Sequence, residues 1–138
     1  MSKDAYILRG LSGSGKSTLA KRLCPKHPHI CSTDSFFYDD SGIYRFKIQD
    51  LPKNHGKNQA VFEDLCKKSV ECIVCDNTNM RHWEMEPYIK AAKEFGYNVH
   101  VVLVGVPRDE SHQIECSKRN KHGVSLEVIK KMAAKFEL

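Results

Sequence analysis

The amino-acid sequence predicts a three-layer α/β fold, with a small parallel sheet of about four strands between layers of helices. Short apolar runs alternate along the chain with segments of helical periodicity, which is the pattern of parallel strands joined by crossover helices. A glycine-rich turn, "GLSGSGKS" at residues 10–17, directly follows the first apolar run. The 138 residues show no repeats, linkers or low-complexity tracts, so we expect residues 1–138 to form a single domain.

Four apolar runs are the candidate strands. They are "AYILR" (5–9), "HICST" (29–33), the start of "VECIVCDNTN" (70–79) and "NVHVVLVGV" (98–106). A first helix is predicted from Ser17 to about Leu23. Pro25 and Pro28 end that helix, because proline lacks the N–H group that a helix needs and restricts the residue before it.

Helical periodicity fills the later gaps between strands. Met85, Ile89 and Ala92 lie at the i, i+4, i+7 spacing of one helix face, and Gly96 is a suitable end for that helix. A weaker, polar helix is predicted over residues 109–119, starting at Asp109. A last helix follows Ser125, a favourable cap, and its apolar face is Leu126, Ile129, Ala133 and Phe136.

Composition and charge narrow the class of protein. No apolar run approaches the roughly 18 residues of a membrane span. The apolar run near the N-terminus is also shorter than the one a signal peptide needs. We therefore expect an intracellular chain, cytoplasmic or nuclear, without a membrane partner. The net charge of +5 favours an anionic partner. The six cysteines are expected to be reduced thiols, and Cys72 and Cys75 point to opposite faces of a strand, which argues against zinc.

Residues 10–17 match the pattern G-x-x-x-x-G-K-[ST] in full. Glycines in such a loop permit the tight turn that aims backbone N–H groups at phosphate oxygens. Lys16 is expected to contact the terminal phosphates, and the Ser17 hydroxyl is expected to bind Mg²⁺. The motif therefore predicts a nucleotide site formed by Gly10, Ser12, Gly13, Ser14, Gly15, Lys16, Ser17 and Thr18.

Two acidic residues follow other strands of the predicted sheet. Asp34 comes just after the second strand and Asp76 ends the third. Ligands of an open parallel sheet lie beyond the carboxyl ends of its strands, so both carboxylates are expected to face the phosphate loop. One could accept a proton from an attacking hydroxyl, and the other could hold Mg²⁺ or its water. The alternative for each residue is a loop acid that caps a helix.

The basic segment "ECSKRNKHG" at residues 115–123 could fold over the phosphates as a helical lid. Arg119 would then stabilise the charge that spreads over a transferred phosphoryl group. For Lys118 and Lys121 we favour the simpler interpretation of a solvated face. The remaining histidines and cysteines, and Trp83, are interpreted as structural, because no catalytic pattern surrounds them.

Residues 36–57 combine aromatic and basic side chains. Five of the twelve aromatic residues fall within eleven positions of this segment. Interleaved aromatic and basic residues suit single-stranded nucleic acid, because rings stack on bases and cations bind phosphates. The alternative is a small satellite core under a loop. The residues concerned are Phe36, Phe37, Tyr38, Tyr44, Arg45, Phe46, Lys47, Lys53 and Lys57.

The order of these motifs resembles the polynucleotide-kinase-like branch of P-loop kinases. The similar stretches are "ILRGLSGSGKSTLAKRL", "STDSFFYDDSGIYRF", "DNTNMRHWEMEPYIKAAKEFGYNV" and "KRNKHGVSLEVIKKM". That branch includes phage polynucleotide 5′-kinase and the kinase-like domains of myelin cyclic-nucleotide phosphodiesterase and of ubiquitin-ligase-binding proteins. The resemblance implies a P-loop NTPase fold with a four-stranded sheet, ATP or GTP as donor, and a nucleic-acid 5′-hydroxyl as acceptor.

By position, the resemblance implies that Asp34 is the general base and Arg119 the lid arginine. It also implies that Lys16 and Ser17 bind nucleotide and Mg²⁺. Asp76 directly precedes Asn77, and as the carboxylate that ends the third strand it is the second candidate metal ligand. Asn77 matches a position that is acidic in the phage enzyme and is a candidate substrate-binding residue. Phe36 is a further candidate on the acceptor side.

The chain departs from the phage pattern at Phe37, where that enzyme has an arginine for the acceptor strand, and Arg45 is a candidate substitute. The chain has neither a D-x-D-x-T phosphatase signature nor an H-x-[ST] phosphodiesterase pair, so we expect neither activity. The function expected from the sequence is an ATP-dependent polynucleotide 5′-hydroxyl kinase. Its alternatives are a kinase of a small acceptor and a nucleotide-binding module without catalysis.

Overall fold

A computed structural model describes residues 2–138 and contains one four-stranded sheet. Every strand pair in the sheet is parallel, and the order across it is β2-β3-β1-β4. The strands are β1 (Asp4–Arg9), β2 (Ile30–Cys31), β3 (Cys72–Asp76) and β4 (Asn98–Leu103). The helices are α1 (Lys16–Leu23), α2 (Leu51–Lys67), α3 (His82–Glu94), α4 (Glu110–Arg119) and α5 (Leu126–Lys135). This architecture confirms the predicted α/β class.

The strand order creates a crevice between β1 and β3. After β1 the chain crosses to β2 at one edge, and after β3 it crosses in the other direction to β4 at the opposite edge. The first connection runs through α1 on one face of the sheet and the second through α3 on the other face, so the two loops part. Ligands of parallel sheets bind in the gap between such loops. Leu8 of β1 pairs in register with Asp76 of β3, so the glycine-rich loop begins beside that carboxylate.

Helices cover both faces of the sheet. On one face, Ile7 and Cys75 pack with Phe62 of α2 and Tyr88 of α3, and all four side chains are buried. On the other face, β1 and β3 pack against α1 through Leu8, Val74 and Ala20. Successive residues of β1, such as Ile7 and Leu8, therefore face opposite layers, as the two-residue repeat of a strand requires.

The last two helices form a separate apolar cluster at the carboxyl end of the sheet. Leu11 of the glycine-rich loop is fully buried among side chains of α4 and α5. The loop thus contributes to the packing of the helices that follow it by a hundred residues. The buried members of this cluster are Leu11, Cys116, Ile129, Ala133 and Phe136.

Two of the predicted strands are too long. The prediction of a strand over 29–33 is wrong beyond Cys31, because the Thr33 N–H donates to Asn77 Oδ1 (2.9 Å) and residues Thr33–Phe37 form a 3₁₀ turn. β4 ends at Leu103 rather than at residue 106, and Gly105 has a φ of 85° that turns the chain away from the sheet.

The sequence analysis also missed α2. Its buried face consists of Asn54, Asn58, Phe62 and Cys66, which are four residues apart, but two of the four are asparagines. Apolar periodicity alone therefore does not indicate the helix.

None of the helices in residues 2–138 has both the length and the apolar character that a membrane crossing requires. All six cysteines are free, and five of them are buried. Burial raises the pKa of the Cys31 thiol to about 12 and that of Cys66 to about 11. No group of three or more metal-binding His, Cys, Asp or Glu side chains occurs within the described part of the chain.

Candidate active site

The glycine-rich loop lies between the end of β1 and the start of α1. Gly13 and Gly15 have φ values of 83° and 104°, in the left-handed region that favours glycine. A Cβ atom on Gly13 would collide with the carbonyl oxygen of Cys116 in α4, so this glycine also permits close approach of the lid. No side chain caps the N-terminus of α1, so its first N–H groups remain available to an anion.

Lys16 folds back across this loop. Its Nζ donates to the carbonyl oxygens of Gly10 (3.0 Å) and Leu11 (2.8 Å), and the residue is only 8% exposed. Burial lowers the pKa of Lys16, and the negative charges of Asp76 and Asp34 partly oppose that shift. The ammonium group is therefore held where a phosphate in the loop would meet it.

The other predicted loop residues surround the same space. Ser14 is buried and its Oγ lies 3.4 Å from Lys16 Nζ, whereas Ser12 is partly exposed in the loop. Thr18 is exposed in the first turn of α1.

Ser17 and Asp76 are in direct contact. The Ser17 hydroxyl donates to Asp76 Oδ2 at 2.8 Å, and Asp76 is 8% exposed at the end of β3. Burial raises the pKa of Asp76, while Lys16 and the Ser17 hydroxyl lower it in part. Adjacent hydroxyl and carboxylate oxygens are the hard donors that Mg²⁺ prefers, so these two residues fit a Mg²⁺ site.

Asp34 lies in the turn after β2 and its side chain is half exposed. Its Oδ2 lies 3.5 Å from Nδ1 of His122, which belongs to the lid. Neither Asp34 nor Asp76 accepts a hydrogen bond from a backbone N–H at a helix N-terminus in the described residues. The alternative interpretation of these two acids as helix caps is therefore not what the structure shows.

Arg119 ends α4 and reaches the glycine-rich loop. Its Nε and Nη2 donate to the carbonyl oxygen of Gly13 at 3.2 and 2.9 Å, and its other nitrogen lies 3.6 Å from Glu115. Lys118 and Lys121 are exposed and form no ion pair within residues 2–138. Of the basic residues in the lid segment, Arg119 is the one that donates hydrogen bonds to the loop within the described residues.

The aromatic segment divides into a buried and an exposed part. Phe37 is 4% exposed and packs against Phe46 at a ring distance of 5.0 Å, which makes it the centre of a small satellite core. Its ring is therefore not available to stack on a base. Phe36 is partly exposed, with Lys57 Nζ 5.9 Å from its ring centroid, and Tyr38 is 45% exposed.

Two further predicted substrate-binding residues are engaged within the chain. Arg45 is exposed but forms an ion pair of 2.6 Å with Asp39. The Oδ1 atom of Asn77 accepts a hydrogen bond from the Thr33 N–H. Its Nδ2 atom lies 3.4 Å from the Tyr88 hydroxyl. In this structure Asn77 supports the turn that carries Asp34.

His122 is the site residue that sequence reasoning missed. Its ring stacks on Tyr44 at a centroid distance of 3.9 Å with 12° between the planes, and its Nε2 lies 3.2 Å from Tyr38 Oη. Burial raises the pKa of Tyr44 to about 12, and Asp34 adds to that shift. The motif R-N-x-H-G contained the signal, but nothing in the spacing of the sequence joins residue 122 to residue 34.

The parallel sheet, the glycine-rich loop and the lid define a P-loop kinase-like domain. Residues 6–138 match the family model described as an AAA domain, and the chain belongs to that family.

Two relatives match almost the whole of this chain. Human NEDD4-binding protein 2 is 38% identical over 135 residues, which are 95% of this chain and 7% of that protein. The 2′,3′-cyclic-nucleotide 3′-phosphodiesterase of Rattus norvegicus is 26% identical over 138 residues, 98% of this chain and 31% of that protein. The chain thus spans less than a third of the length of these relatives. The predicted resemblance to polynucleotide-kinase-like domains is confirmed.

Solved structures share the fold. A chain of the Pnkp1/Rnl/Hen1 RNA repair complex superposes with a TM-score of 0.70 at 17% identity, covering 97% of this chain and 44% of that one. A gluconokinase from Sinorhizobium meliloti 1021 gives a TM-score of 0.64 at 16% identity, covering 98% of this chain and 75% of that one. Because an RNA repair complex and a gluconokinase share it, the fold alone does not fix the acceptor.

Proposed function

We propose that this chain is an ATP-dependent polynucleotide 5′-hydroxyl kinase. The observation that carries the proposal is a cleft that combines aromatic rings with lysine side chains and is lined in part by Phe36 and Phe37, which belong to the same turn as Asp34. Donor chemistry is supported by the arrangement of Lys16, Arg119 and the Ser17–Asp76 pair around the glycine-rich loop.

The proposed reaction is an in-line transfer. The oxygen of the acceptor hydroxyl bonds to the γ-phosphorus, and the bond between that phosphorus and the β–γ bridging oxygen breaks. Asp34 accepts the hydroxyl proton, and the nucleoside diphosphate leaves. Lys16 and Arg119 stabilise the charge on the transferring group from the loop and from the lid. When Mg²⁺ is bound at Ser17 and Asp76, it neutralises part of the phosphate charge.

The cleft has a volume of about 210 Å³. Lys47, Lys53 and Lys57 line it, are exposed, and form no ion pair with a carboxylate in residues 2–138. Asp50 also lines the cleft, and Asp39 there is paired with Arg45, so the local charge is positive. A cleft with unpaired lysines and accessible rings supports a single-stranded nucleic acid as acceptor.

A kinase of a small acceptor is the second candidate. Phe37 replaces the arginine of the phage pattern and is buried, and Arg45 is occupied by Asp39. Neither position therefore offers a free guanidinium to the phosphates of an acceptor strand. The gluconokinase structure shows that this fold also occurs in a kinase whose name gives no nucleic-acid substrate.

The test is transfer of labelled γ-phosphate from ATP, and separately from GTP, to a panel of acceptors. The panel contains 5′-hydroxyl RNA and DNA oligonucleotides, nucleosides and sugars. We expect label on the oligonucleotides. Label on the small acceptors alone would establish the second candidate, and label on none of them would leave a nucleotide-binding module.

A further inference from the structure

We infer that His122 is a positioning residue for Asp34, which fixes the carboxylate toward the acceptor hydroxyl and joins it to the lid. The inference deepens the proposed phosphotransfer and rests on it. Its basis is the contact between His122 Nδ1 and Asp34 Oδ2 at 3.5 Å, an ion-pair distance. No other basic side chain in residues 2–138 lies within ion-pair distance of Asp34.

The two side chains differ in how firmly they are held. The side chain of Asp34 is 51% exposed, whereas that of His122 is 19% exposed. Tyr44 stacks on the imidazole at 3.9 Å, and Tyr38 Oη lies 3.2 Å from Nε2. An exposed aspartate samples several side-chain rotamers, so contact with a ring fixed on two other sides selects one of them.

The position of His122 is also fixed by its own turn. The Asn120 side chain donates to the carbonyl oxygens of Cys116 (3.1 Å) and Val124 (2.8 Å) and accepts from the Val124 N–H (2.8 Å). Gly123 has a φ of 68°, which closes the turn. None of these contacts involves Asp34, so the turn that carries His122 is held independently of that carboxylate.

His122 acts through Asp34 rather than on the substrate. Its Nδ1 faces Asp34, its Nε2 faces Tyr38, and Tyr44 covers one face of the ring. Neither ring nitrogen is left to take a proton from an acceptor hydroxyl. The titratable groups that face the imidazole in the described residues are Asp34, Tyr38 and Tyr44.

The turn over residues 119–123 contacts both the phosphate loop and Asp34. Arg119 begins it and contacts Gly13 O of the phosphate loop at 2.9 Å, while His122 near its end contacts Asp34. A lid seated on the loop through Arg119 therefore also seats the imidazole against the proposed base. Correct placement of a reacting group within about 1 Å affects a rate by about a hundredfold.

The experiment measures single-turnover phosphate transfer at saturating ATP, Mg²⁺ and oligonucleotide. His122→Ala should slow transfer by about ten- to a hundredfold while nucleotide affinity stays within about twofold. His122→Asn keeps an N–H donor near the position of Nδ1 and should recover much of the rate. His122→Gln keeps a donor nearer the position of Nε2 and should not. Lys121→Ala, an exposed neighbour in the same turn, is the control and should stay within about twofold of the parent.

A double-mutant cycle separates positioning from a structural role. If His122 acts through Asp34, adding His122→Ala to the Asp34→Asn variant should change the rate by less than about twofold. Independent, multiplicative losses would overturn the inference, and so would rescue by glutamine but not by asparagine. An active parent whose rate His122→Ala leaves unchanged would overturn the inference alone. A parent that labels no acceptor would overturn the proposed function, and the inference with it.

Discussion

At the scale of single residues, the glycine-rich loop holds the charged side chain of Lys16, which forms no ion pair with a carboxylate in residues 2–138. Lys16 is buried and its Nζ contacts two backbone carbonyls, but no carboxylate lies within ion-pair distance of it in residues 2–138. Burying a charge without an opposite charge is unfavourable, and here burial lowers the pKa of Lys16. An incoming phosphate would supply the missing anion, which argues that the loop is built for a ligand.

Lys16→Ala should therefore abolish phosphate transfer and also weaken triphosphate binding. Hydrogen bonds to charged groups contribute about 1.5–3 kcal/mol, which corresponds to a loss of about ten- to a hundredfold in affinity. The measurement is nucleotide affinity by titration calorimetry on variants whose fold is checked by circular dichroism. Lys131→Ala, an exposed lysine of α5, is the control. Parental nucleotide affinity in a folded Lys16→Ala protein would contradict the assignment of the loop.

Substitutions of Asp34 and Asp76 should have different effects on the reaction. Asp34→Asn keeps the shape of the side chain but cannot accept a proton, so transfer should be at least about a hundredfold slower while ATP–Mg²⁺ affinity stays near that of the parent. Asp76→Asn should instead raise the Mg²⁺ concentration needed for half-maximal transfer, because Asp76 contacts the Ser17 hydroxyl at the proposed metal site. Each variant needs two measurements, nucleotide affinity and single-turnover rate across a Mg²⁺ series.

A nearly fully active Asp34→Asn variant would show that the base lies elsewhere. It would also remove the basis of the inference about His122.

At the scale of elements, α2 is held by polar contacts within the core. Asn58 of α2 is 1% exposed and donates to the Tyr88 hydroxyl of α3 at 2.9 Å and to Cys31 O of β2 at 3.4 Å. The Tyr88 hydroxyl also lies 3.4 Å from Asn77, which binds the turn that carries Asp34. One buried hydroxyl thus connects two helices with the turn that carries Asp34.

Tyr88→Phe should destabilise the fold by about 1–3 kcal/mol, because it leaves a buried amide donor of Asn58 without its hydroxyl partner. The measurement is the free energy of unfolding in urea. Tyr6→Phe is a matched control, since the Tyr6 hydroxyl makes no hydrogen bond to the described residues, and its effect should stay within about 0.5 kcal/mol. Equal losses in both variants would show that the buried hydroxyl has no special role.

Elements with local signals were predictable, and α2 was not. The glycine-rich loop and α1 follow from residues that are adjacent in sequence, and the apolar stripe of α5 follows from spacing alone. The buried face of α2 contains Asn54 and Asn58, whose partners Phe36 O and Tyr88 Oη lie 18 and 30 positions away in the sequence. A buried asparagine looks like a surface residue until its partners are known.

At the scale of the whole molecule, topology explains which site residues could be predicted. Lys16, Ser17, Asp34 and Asp76 follow parallel strands, and the rule that loops at the carboxyl edge face one another places them together. His122 follows a helix of the lid and meets Tyr38 across 84 positions of sequence. No local pattern encodes that contact, because it depends on how α4 and α5 pack against the phosphate loop through Leu11.

The distribution of charge over the whole molecule supports the proposed nucleic-acid acceptor over a small one. The net charge of +5 is modest, but Lys47, Lys53 and Lys57 lie together in the cleft that Phe36 and Tyr38 also line. Lysines that neutralise phosphates release counterions, so the logarithm of affinity falls linearly with the logarithm of salt concentration. A small acceptor that carries no chain of phosphates would show no such dependence.

We therefore expect a 5′-hydroxyl single-stranded oligonucleotide to bind with a log–log salt slope of about −2, since three phosphate contacts each contribute about −0.7 on a single strand. The measurement is fluorescence anisotropy over a range of salt concentrations without nucleotide. Removing two contacts in Lys53→Ala/Lys57→Ala should reduce the slope to about −0.7. The control is Lys67→Ala/Lys131→Ala, which removes the same charge from two lysines that pair with glutamates outside the cleft and should keep the parental slope. Absent or salt-independent binding would favour a small acceptor, and an equal loss of slope in both variants would mean that net charge rather than the cleft attracts the strand.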